Sequence, residues 1–280
     1  MRKACVAFLW CVLIASLHAS ERTKQTQPLF ASVNLCTDQL LLELFPVVRI
    51  ESLSFLSKDP QYSPNWKKAR LVPSNHAQLE ELFLLKSPVI LTSQFSPKLL
   101  SDTLSSLKKK SVPFAYPASL SDLQKALSEL GEVLGANQNV TAINASLDEL
   151  VHYVPEKTVG ARLRVLALGP GGYTNGSETI EHELLEKVGF INVAVEAGVK
   201  QFSALSLEHV VALQPDVILL GDHTRNRSSA SQRFLNHPAL RSALKRTKFV
   251  ADNEVHSSCS PQSLMKRFQF LRSVYASVSA

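Results

Sequence analysis

A duplicated stretch constrains the fold of this chain more than any other feature of its sequence. Residues 79–91 read LEELFLLKSPVIL, and residues 207–219 read LEHVVALQPDVIL. Each copy predicts a short amphipathic helix, a break at a proline and an apolar strand. The aligned identities are Leu79 with Leu207, Glu80 with Glu208, Leu85 with Leu213, Val89 with Val217, Ile90 with Ile218, and Leu91 with Leu219.

The strands of the repeat are continuous apolar runs, which are typical of strands buried on both faces of a parallel sheet. Two such units far apart in the chain predict two α/β lobes, and 280 residues are enough for two domains of ordinary size. Chance similarity between two helix-to-strand junctions is the alternative, because the pattern occurs in many α/β proteins.

A helix is predicted between the two halves of the repeat. Apolar residues recur at helical spacing from Ile143 to Val154, and Pro155 ends the pattern. A helix of ~16 residues spans ~24 Å, enough to cross from one lobe to the other as a stiff connection. The predicted boundaries are 29–137 for the N-terminal lobe, 138–156 for the connecting helix and 157–280 for the C-terminal lobe.

The N-terminal lobe is predicted to open with a strand at Leu29–Asn34 and a helix that starts near Asp38. Thr37 or Asp38 is the predicted N-cap, because Thr and Asp accept hydrogen bonds from the first turn of a helix. A second strand is predicted at Arg49–Ser54.

Residues 1–19 resemble a secretory signal peptide. A positively charged start is followed by a nearly apolar run from Ala4 to Leu17, and Ala19 is a plausible last residue before cleavage. An uncleaved N-terminal anchor is the alternative, because the sequence lacks a clean small-x-small cleavage site. The polar residues 20–28 are predicted to form a disordered leader. The mature chain is therefore predicted to be exported and periplasmic.

Removal of the signal peptide changes the charge and the cysteine count. The formal charge falls from +6 to +4 with the loss of Arg2 and Lys3, and the remaining basic residues are scattered, so no nucleic-acid partner is predicted. Of the four cysteines, only Cys36 and Cys259 remain. In an oxidising compartment such a pair is more often bonded than free.

The glycine-rich segment GPGGYTNG, residues 169–176, lies between a predicted strand and a helix. It lacks the lysine of a phosphate-binding loop and the spacing of a dinucleotide-binding motif, so a nucleotide site is not favoured. Its glycines would let a ligand approach backbone N–H groups beside Tyr173. A purely structural tight turn is the alternative.

Motifs of catalysis and of helical metal binding are missing. No Gly-x-Ser-x-Gly elbow and no His-x-x-x-His spacing occurs, so neither enzymatic activity, a bound cofactor nor a metal centre is predicted. A site assembled from distant histidines is the open alternative, because some lie near the ends of predicted strands, where α/β folds bind ligands. These histidines are His76, His182, His223 and His256.

The order of these segments resembles the periplasmic binding proteins of ABC importers for cobalamin and iron complexes, the family with a helical backbone. The resemblance covers residues 29–275 and is carried by VNLCTDQLLLELF, the two copies of the repeat, LGPGGYTNGSETIEHELLEKVG and a final CSP before the last helix. It implies two lobes, each a mostly parallel sheet flanked by helices, joined by one long rigid helix, with the ligand in the cleft between them.

The resemblance also implies a function. A monomeric exported receptor would capture a cobalamin-like or ferric-chelate ligand and deliver it to the transmembrane subunits of an ABC permease, without covalent chemistry. Trp66 is the one tryptophan outside the signal peptide, which weakens cobalamin as the ligand, and Arg225 and Arg227 would suit an anionic iron chelate or simply form a solvated loop. The alternatives are a receptor for bare zinc, manganese or iron ions and an exported enzyme of unknown reaction.

Site residues carry over from the family by position. Glu80 and Glu208, already paired by the repeat, would dock onto the permease, although a glutamate in the first turn also complements the helix dipole. A disulfide between Cys36 and Cys259 would tie the lobes together. The implied ligand-binding residues are Asn34, Cys36, Phe55, Trp66, Asn75, His76, Tyr173, His256, Ser257 and Ser258.

Overall fold

The computed structural model describes residues 29–154, 162–221, 230–252 and 257–279. The predicted signal peptide and leader lie outside these residues, as do His223, Arg225, Arg227 and His256. None of the described helices is long and apolar enough to cross a lipid bilayer.

The N-terminal lobe contains a five-stranded sheet in which every paired strand is parallel. The strand order is β3-β2-β1-β4-β5. The strands are β1 (Phe30–Ser32), β2 (Ile50–Ser54), β3 (Ser74–Asn75), β4 (Val89–Ser93) and β5 (Lys110–Phe114). The helices between them are α1 (Leu35–Leu44), α2 (Trp66–Ala69), α3 (Leu79–Leu84) and α4 (Lys98–Ser106).

Two antiparallel helices, α5 (Leu120–Leu134) and α6 (Asn137–Val151), lie between the sheets in sequence. They are joined by Gly135, whose left-handed backbone ends α5. At the start of α6 the Asn139 amide donates to the carbonyl of Leu44 in the N-terminal lobe, 2.5 Å away. At its end the Val151 carbonyl accepts from Lys187 of the other lobe at 2.7 Å. The helix α6 therefore runs from one lobe to the other.

The C-terminal lobe contains a four-stranded parallel sheet and a small antiparallel ribbon. The sheet order is β8-β6-β10-β11, and the ribbon pairs β7 with β9. The strands are β6 (Arg164–Leu168), β7 (Tyr173–Asn175), β8 (Ile191–Asn192), β9 (Phe202–Ala204), β10 (Val217–Gly221) and β11 (Lys248–Asp252). The helices are α7 (Ile180–Val188), α8 (Leu207–Leu213), α9 (Ala230–Leu235), α10 (Pro238–Ala243) and α11 (Pro261–Ser279).

The sequence repeat is a structural repeat. One copy forms α3 and β4, and β4 lies between β1 and β5. The other copy forms α8 and β10, and β10 lies between β6 and β11. The two copies therefore occupy the same place in their sheets, and the predicted α/β fold with two lobes is confirmed.

The apolar runs of the repeat are buried on both faces of their strands. Ile90 and Leu91 in β4, like Ile218 and Leu219 in β10, are at most 1% exposed. Helices cover both faces of each parallel sheet, so neither side of these strands contacts water. Burial of each such side chain contributes roughly 1.5–3 kcal/mol to the stability of its lobe.

The predicted start of the first helix is wrong. Helix α1 begins at Leu35, and its N-cap is Asn34, whose side chain accepts from the Thr37 N–H at 3.1 Å. Asp38 instead lies inside the helix with its carboxylate turned into the core, where it accepts from the backbone N–H of Ser54 at 3.1 Å and from the Ser54 hydroxyl. The hydrogen bonds from Ser54, 16 residues away in sequence, therefore hold Asp38 in the core instead of at the helix cap.

Candidate functional site

The carboxyl ends of the two parallel sheets lie next to each other. The disulfide joins Cys36, just after β1, to Cys259, after β11. The ring of Tyr116, just after β5, meets the ring of Phe202 edge-on with centroids 5.1 Å apart. Because ligands of α/β proteins bind at the carboxyl ends of the strands, the region between these ends is the candidate site.

The disulfide fixes the two lobes to each other at one side of this region. Cys259 is buried and bonded to Cys36, which confirms the predicted pairing. Next to it, the hydroxyl of Ser260 donates to the carboxylate of Glu43 at the end of α1. Burial raises the pKa of Glu43, and the hydrogen bond from Ser260 opposes that shift. Cys36 therefore contributes no free thiol to the site.

The N-terminal lobe contributes exposed aromatic rings to the carboxyl edge of its sheet. Phe55 directly follows β2 and is 50% exposed, and His76 directly follows β3. Their rings stack with centroids 4.9 Å apart. Glu81 holds the histidine in place, because it accepts from the His76 backbone N–H at 2.6 Å and lies 3.1 Å from Nδ1. Phe95, after β4, is 70% exposed.

The C-terminal lobe contributes two further exposed rings through the β7–β9 ribbon. Tyr173 and Phe202 are 61% and 46% exposed. Glycine is required on both sides of Tyr173, since a Cβ at Gly172 would lie 2.3 Å from the Leu205 carbonyl and one at Gly176 would lie 2.0 Å from the Val199 carbonyl. These glycines allow a close turn that presents the tyrosine ring.

A cavity of about 270 Å³ lies beneath these two rings. Three charged side chains line it, namely Arg267 of α11, Glu181 of α7 and Asp252 at the end of β11. Arg267 donates from Nη2 to Glu181 at 2.5 Å and from Nη1 to Asp252. Burial opposes the charge on Arg267, but the two carboxylates outweigh burial and raise the pKa of the guanidinium.

Tyr116 of the N-terminal lobe lies close to this charged group. Burial raises the pKa of the Tyr116 hydroxyl, a hydrogen bond with Ser258 opposes the rise, and the negative charge of Glu181 adds to it. Ser258 also lines the cavity. The tyrosine is therefore held in its neutral form as a hydrogen-bonding group between the lobes.

Several residues predicted to bind ligand have structural partners. The Asn75 amide donates to the Ser32 carbonyl at 2.9 Å and to the Ser52 hydroxyl at 2.8 Å, which connects β3 to both β1 and β2. The Trp66 ring lies under Arg70, the C-cap of its helix α2, 4.4 Å from ring centroid to guanidinium carbon.

Two more of these residues also make structural contacts. Asn34 caps α1, and the backbone N–H of Ser257 donates to the Ser263 hydroxyl at 2.9 Å. A ligand contact for any of these residues, and for His256 outside the described segments, stays a prediction.

The two glutamates of the repeat occupy equivalent exposed positions. Glu80 lies in the first turn of α3, and Glu208 in the first turn of α8. Ser206, the N-cap of α8, donates a hydrogen bond that lowers the pKa of Glu208. The two glutamates therefore lie in the first turn of equivalent helices, and both side chains are exposed.

Metal-ligating side chains do not cluster in the part of the chain that the structure describes. No three His, Cys, Asp or Glu residues lie close enough there to hold an ion. His76 is paired with Glu81, and the ring nitrogen of His182 lies 3.5 Å from the amide of Asn192.

Sequence reasoning missed several residues at this site. Phe95 could have been found, because it follows a buried strand as Phe55 does. No local pattern marks the other residues, since their role depends on which face of a helix or ribbon meets the other lobe. They are Tyr116, Glu181, Phe202, Asp252 and Arg267.

Comparison with protein-family models identifies one matching family. A family model described as periplasmic binding protein matches residues 31–255. A search among curated protein sequences finds no match.

Three solved structures are similar in fold. The periplasmic heme-binding protein RhuT from Roseiflexus sp. RS-1 is 18% identical with a TM-score of 0.68 over 89% of this chain and 99% of that one. The periplasmic heme-binding protein HutB of Vibrio cholerae is 17% identical with a TM-score of 0.66 over 88% and 99%. The molybdate-binding protein MolA of Haemophilus influenzae is 16% identical with a TM-score of 0.63 over 90% and 88%.

Proposed function

The chain belongs to the periplasmic binding protein family, and on this premise we propose that it is the receptor of an ABC importer for a flat metal chelate. The ligand would be a ferric chelate or a cobalamin-like complex with a broad apolar face. Members of this family bind solutes, and we propose that this chain performs no covalent chemistry on its ligand.

The observation that carries the ligand class is the set of exposed aromatic rings at the carboxyl ends of both sheets. The N-terminal lobe carries Phe55, His76 and Phe95, and the C-terminal lobe carries Tyr173 and Phe202. Clustered exposed apolar side chains are typical of ligand-binding grooves. A flat chelate would cover these rings and gain about 0.5–1.5 kcal/mol from each stacked pair beyond the area that it buries.

The similar structures include receptors for a chelate and a receptor for a small ion. RhuT and HutB are described as heme-binding proteins, and MolA as a molybdate-binding protein. A small ion such as molybdate or Zn²⁺ would leave the rings of Phe55 and Phe95 in water. A chelate as large as heme would cover these rings, so the exposed aromatic side chains favour the larger ligand.

Export and delivery complete the proposal. The signal-like N-terminus of the sequence and the disulfide between Cys36 and Cys259 both suit an oxidising compartment, which we propose is the periplasm. Glu80 and Glu208 would contact the permease, one from each lobe. An exposed ion pair contributes only ~0–1 kcal/mol by itself, so docking would depend on both contacts at once.

A ligand screen tests the proposal. The purified mature chain would be titrated with hemin, cyanocobalamin, ferrioxamine B, Zn²⁺, Mn²⁺ and molybdate, with the fluorescence of Trp66 and the tyrosines and the absorbance of the chelate as readouts. We expect saturable binding of at least one chelate and none of the bare ions. Binding of a bare ion alone, with every chelate inert, would overturn the proposal.

A further inference from the structure

One edge of strand β9 lies outside the pairing of the C-terminal lobe. In the part of the chain that the structure describes, β9 pairs with β7 alone, and the two strands form a separate antiparallel ribbon. All three residues of β9 are exposed. The outer edge of such a strand presents main-chain N–H and C=O groups that can bond to another extended chain.

The register of the ribbon shows which main-chain groups lie on this edge. The Leu205 N–H, just after β9, donates to the Gly172 carbonyl at 2.9 Å. Hydrogen-bonded pairs alternate with other pairs along an antiparallel ladder, so Ser203, two residues before Leu205, also faces β7. The N–H and C=O groups of Phe202 and Ala204 therefore point away from β7.

A groove of about 570 Å³ lies against β9. Residues 197–205 line it together with the side chains of Glu178 and His209. Five of its lining side chains are polar or charged, so a purely apolar ligand would leave these groups without partners; they are Glu178, Lys200, Gln201, Ser203 and His209. An extended polypeptide fits such a groove, because its main chain supplies donors and acceptors at the spacing of a strand.

The groove is continuous with the start of helix α8. Strand β9 ends at Ala204, and α8 begins at Leu207. His209, in the first turn of α8, lines the groove, and the exposed Glu208 directly precedes it. Glu208 is the residue of this lobe that would contact the permease. A partner that reaches Glu208 therefore also comes within reach of the edge of β9.

We propose that an extended periplasmic segment of the permease adds to β9 as a third strand of the ribbon. The inference rests on the proposed function, since it names how the C-terminal lobe holds its permease. Main-chain pairing along three residues is weak by itself, and so is an exposed ion pair at Glu208, but together they form a bivalent contact. A second copy of the chain is a poorer occupant, because short edge strands limit self-association.

Hydrogen exchange of the unmodified chain tests the added strand. The purified mature chain would be measured alone and in complex with its cognate permease in lipid nanodiscs, at single-residue resolution by mass spectrometry. We expect exchange of the Phe202 and Ala204 amides to slow on the order of tenfold or more in the complex, because a main-chain bond protects an amide from exchange. The Ser203 amide, which already faces β7, should change less.

A proline variant tests the same edge by affinity. Ala204→Pro removes an outward N–H and keeps the ladder to β7, since proline is tolerated where the missing donor faces solvent. We expect its affinity for the permease to fall about three- to tenfold. Ala204→Ser is the matched control, because it changes the side chain and retains the N–H, and it should bind the permease like the unmodified chain. Circular dichroism checks that each variant is folded.

The outcomes separate the added strand from the receptor function. Permease binding without slower exchange at Phe202 and Ala204 overturns the added strand and leaves the receptor function intact, and this result decides even where Ala204→Pro fails to fold. Equal permease affinity in folded Ala204→Pro also overturns it.

Two further controls name the other occupants of the edge. Slower exchange of the same two amides with hemin or ferrioxamine B alone would assign the edge to the ligand. Slower exchange at higher concentrations of the chain alone would assign it to a second copy. Either result overturns the added strand. Failure of the unmodified chain to bind the permease at all would refute both proposals.

Discussion

Cys36, at the start of α1, is bonded to Cys259, two residues before α11, and the bond connects the carboxyl edge of one sheet to that of the other. The Cα atoms are 5.3 Å apart, and the bond closes a loop across a sequence separation of 223 residues. The lobes are therefore joined by a covalent link beside the site as well as by α6. Opening of the cleft must pivot about both connections.

Replacement of Cys36 and Cys259 together by serine should lower the free energy of unfolding. A bond that closes so long a loop restricts the unfolded chain strongly, and its loss should cost about 2–5 kcal/mol. Urea unfolding followed by circular dichroism would measure the change. Reductant should shift the unmodified chain in the same way and leave the double variant unaffected. Equal free energies of unfolding for the double variant and the unmodified chain would show that the bond does not stabilise the fold.

Truncation of Phe55 should weaken ligand binding without unfolding the lobe. Its ring is half exposed and stacks on His76, so Phe55→Ala removes the proposed ligand contact and a supporting neighbour of His76. We expect affinity for the bound chelate to fall about three- to tenfold. Val48→Ala is the matched control, because Val48 is 78% exposed at the amino edge of the same sheet. Equal losses in both variants would place the ligand elsewhere.

The parts of this structure that were predictable depend on local patterns. The strands of the repeat are buried on both faces, and their continuous apolar runs reveal it directly. Phe55 and His76 were carried over from the family resemblance as candidate ligand-binding residues, and their position after a strand, which can be deduced from sequence, is confirmed. The equivalence of Glu80 and Glu208 followed from the alignment of the two copies.

The parts that were missed depend on contacts between distant segments. Arg267 lies in the middle of a 19-residue helix, and nothing in its neighbours shows that it points to Glu181, 86 residues earlier. Tyr116 meets Phe202 only after the lobes have come together. The cap of α1 was assigned wrongly for the same reason, since the burial of Asp38 depends on Ser54.

Asp38 should make the stability of the protein depend on pH. Burial raises the pKa of its carboxyl to about 7, although hydrogen bonds from Ser32 and Ser54 oppose the shift. The unfolded chain has an Asp pKa of ~3.9, so the folded chain holds this proton more tightly. The stabilisation is complete below ~3.9 and is lost as the pH rises through about 7, with a slope of up to about 1.4 kcal/mol per pH unit.

Urea unfolding from pH 4 to pH 8 would measure this dependence. In Asp38→Asn the amide can accept from the Ser54 N–H without titrating, so the fall in stability with rising pH should be smaller than in the unmodified chain. Asp102→Asn, at an exposed position on α4, should leave the dependence unchanged. Glu43, whose pKa is also raised, contributes equally to all three proteins. Parallel curves for Asp38→Asn and the unmodified chain would contradict the assignment.

Simultaneous replacement of Glu80 and Glu208 by alanine should abolish uptake while ligand affinity stays the same. Both glutamates are exposed in the first turn of equivalent helices, which would let them contact two sites on the permease at once, and the double replacement removes both proposed contacts. Cells that carry the cognate permease would be assayed for uptake of the labelled chelate, and the purified variant for its dissociation constant. Each single variant should lose less uptake than the pair.

Glu129→Ala with Glu149→Ala, at exposed positions on α5 and α6, is the control and should transport normally. A loss of affinity in the Glu80 and Glu208 variant would assign these residues to the ligand instead of the permease.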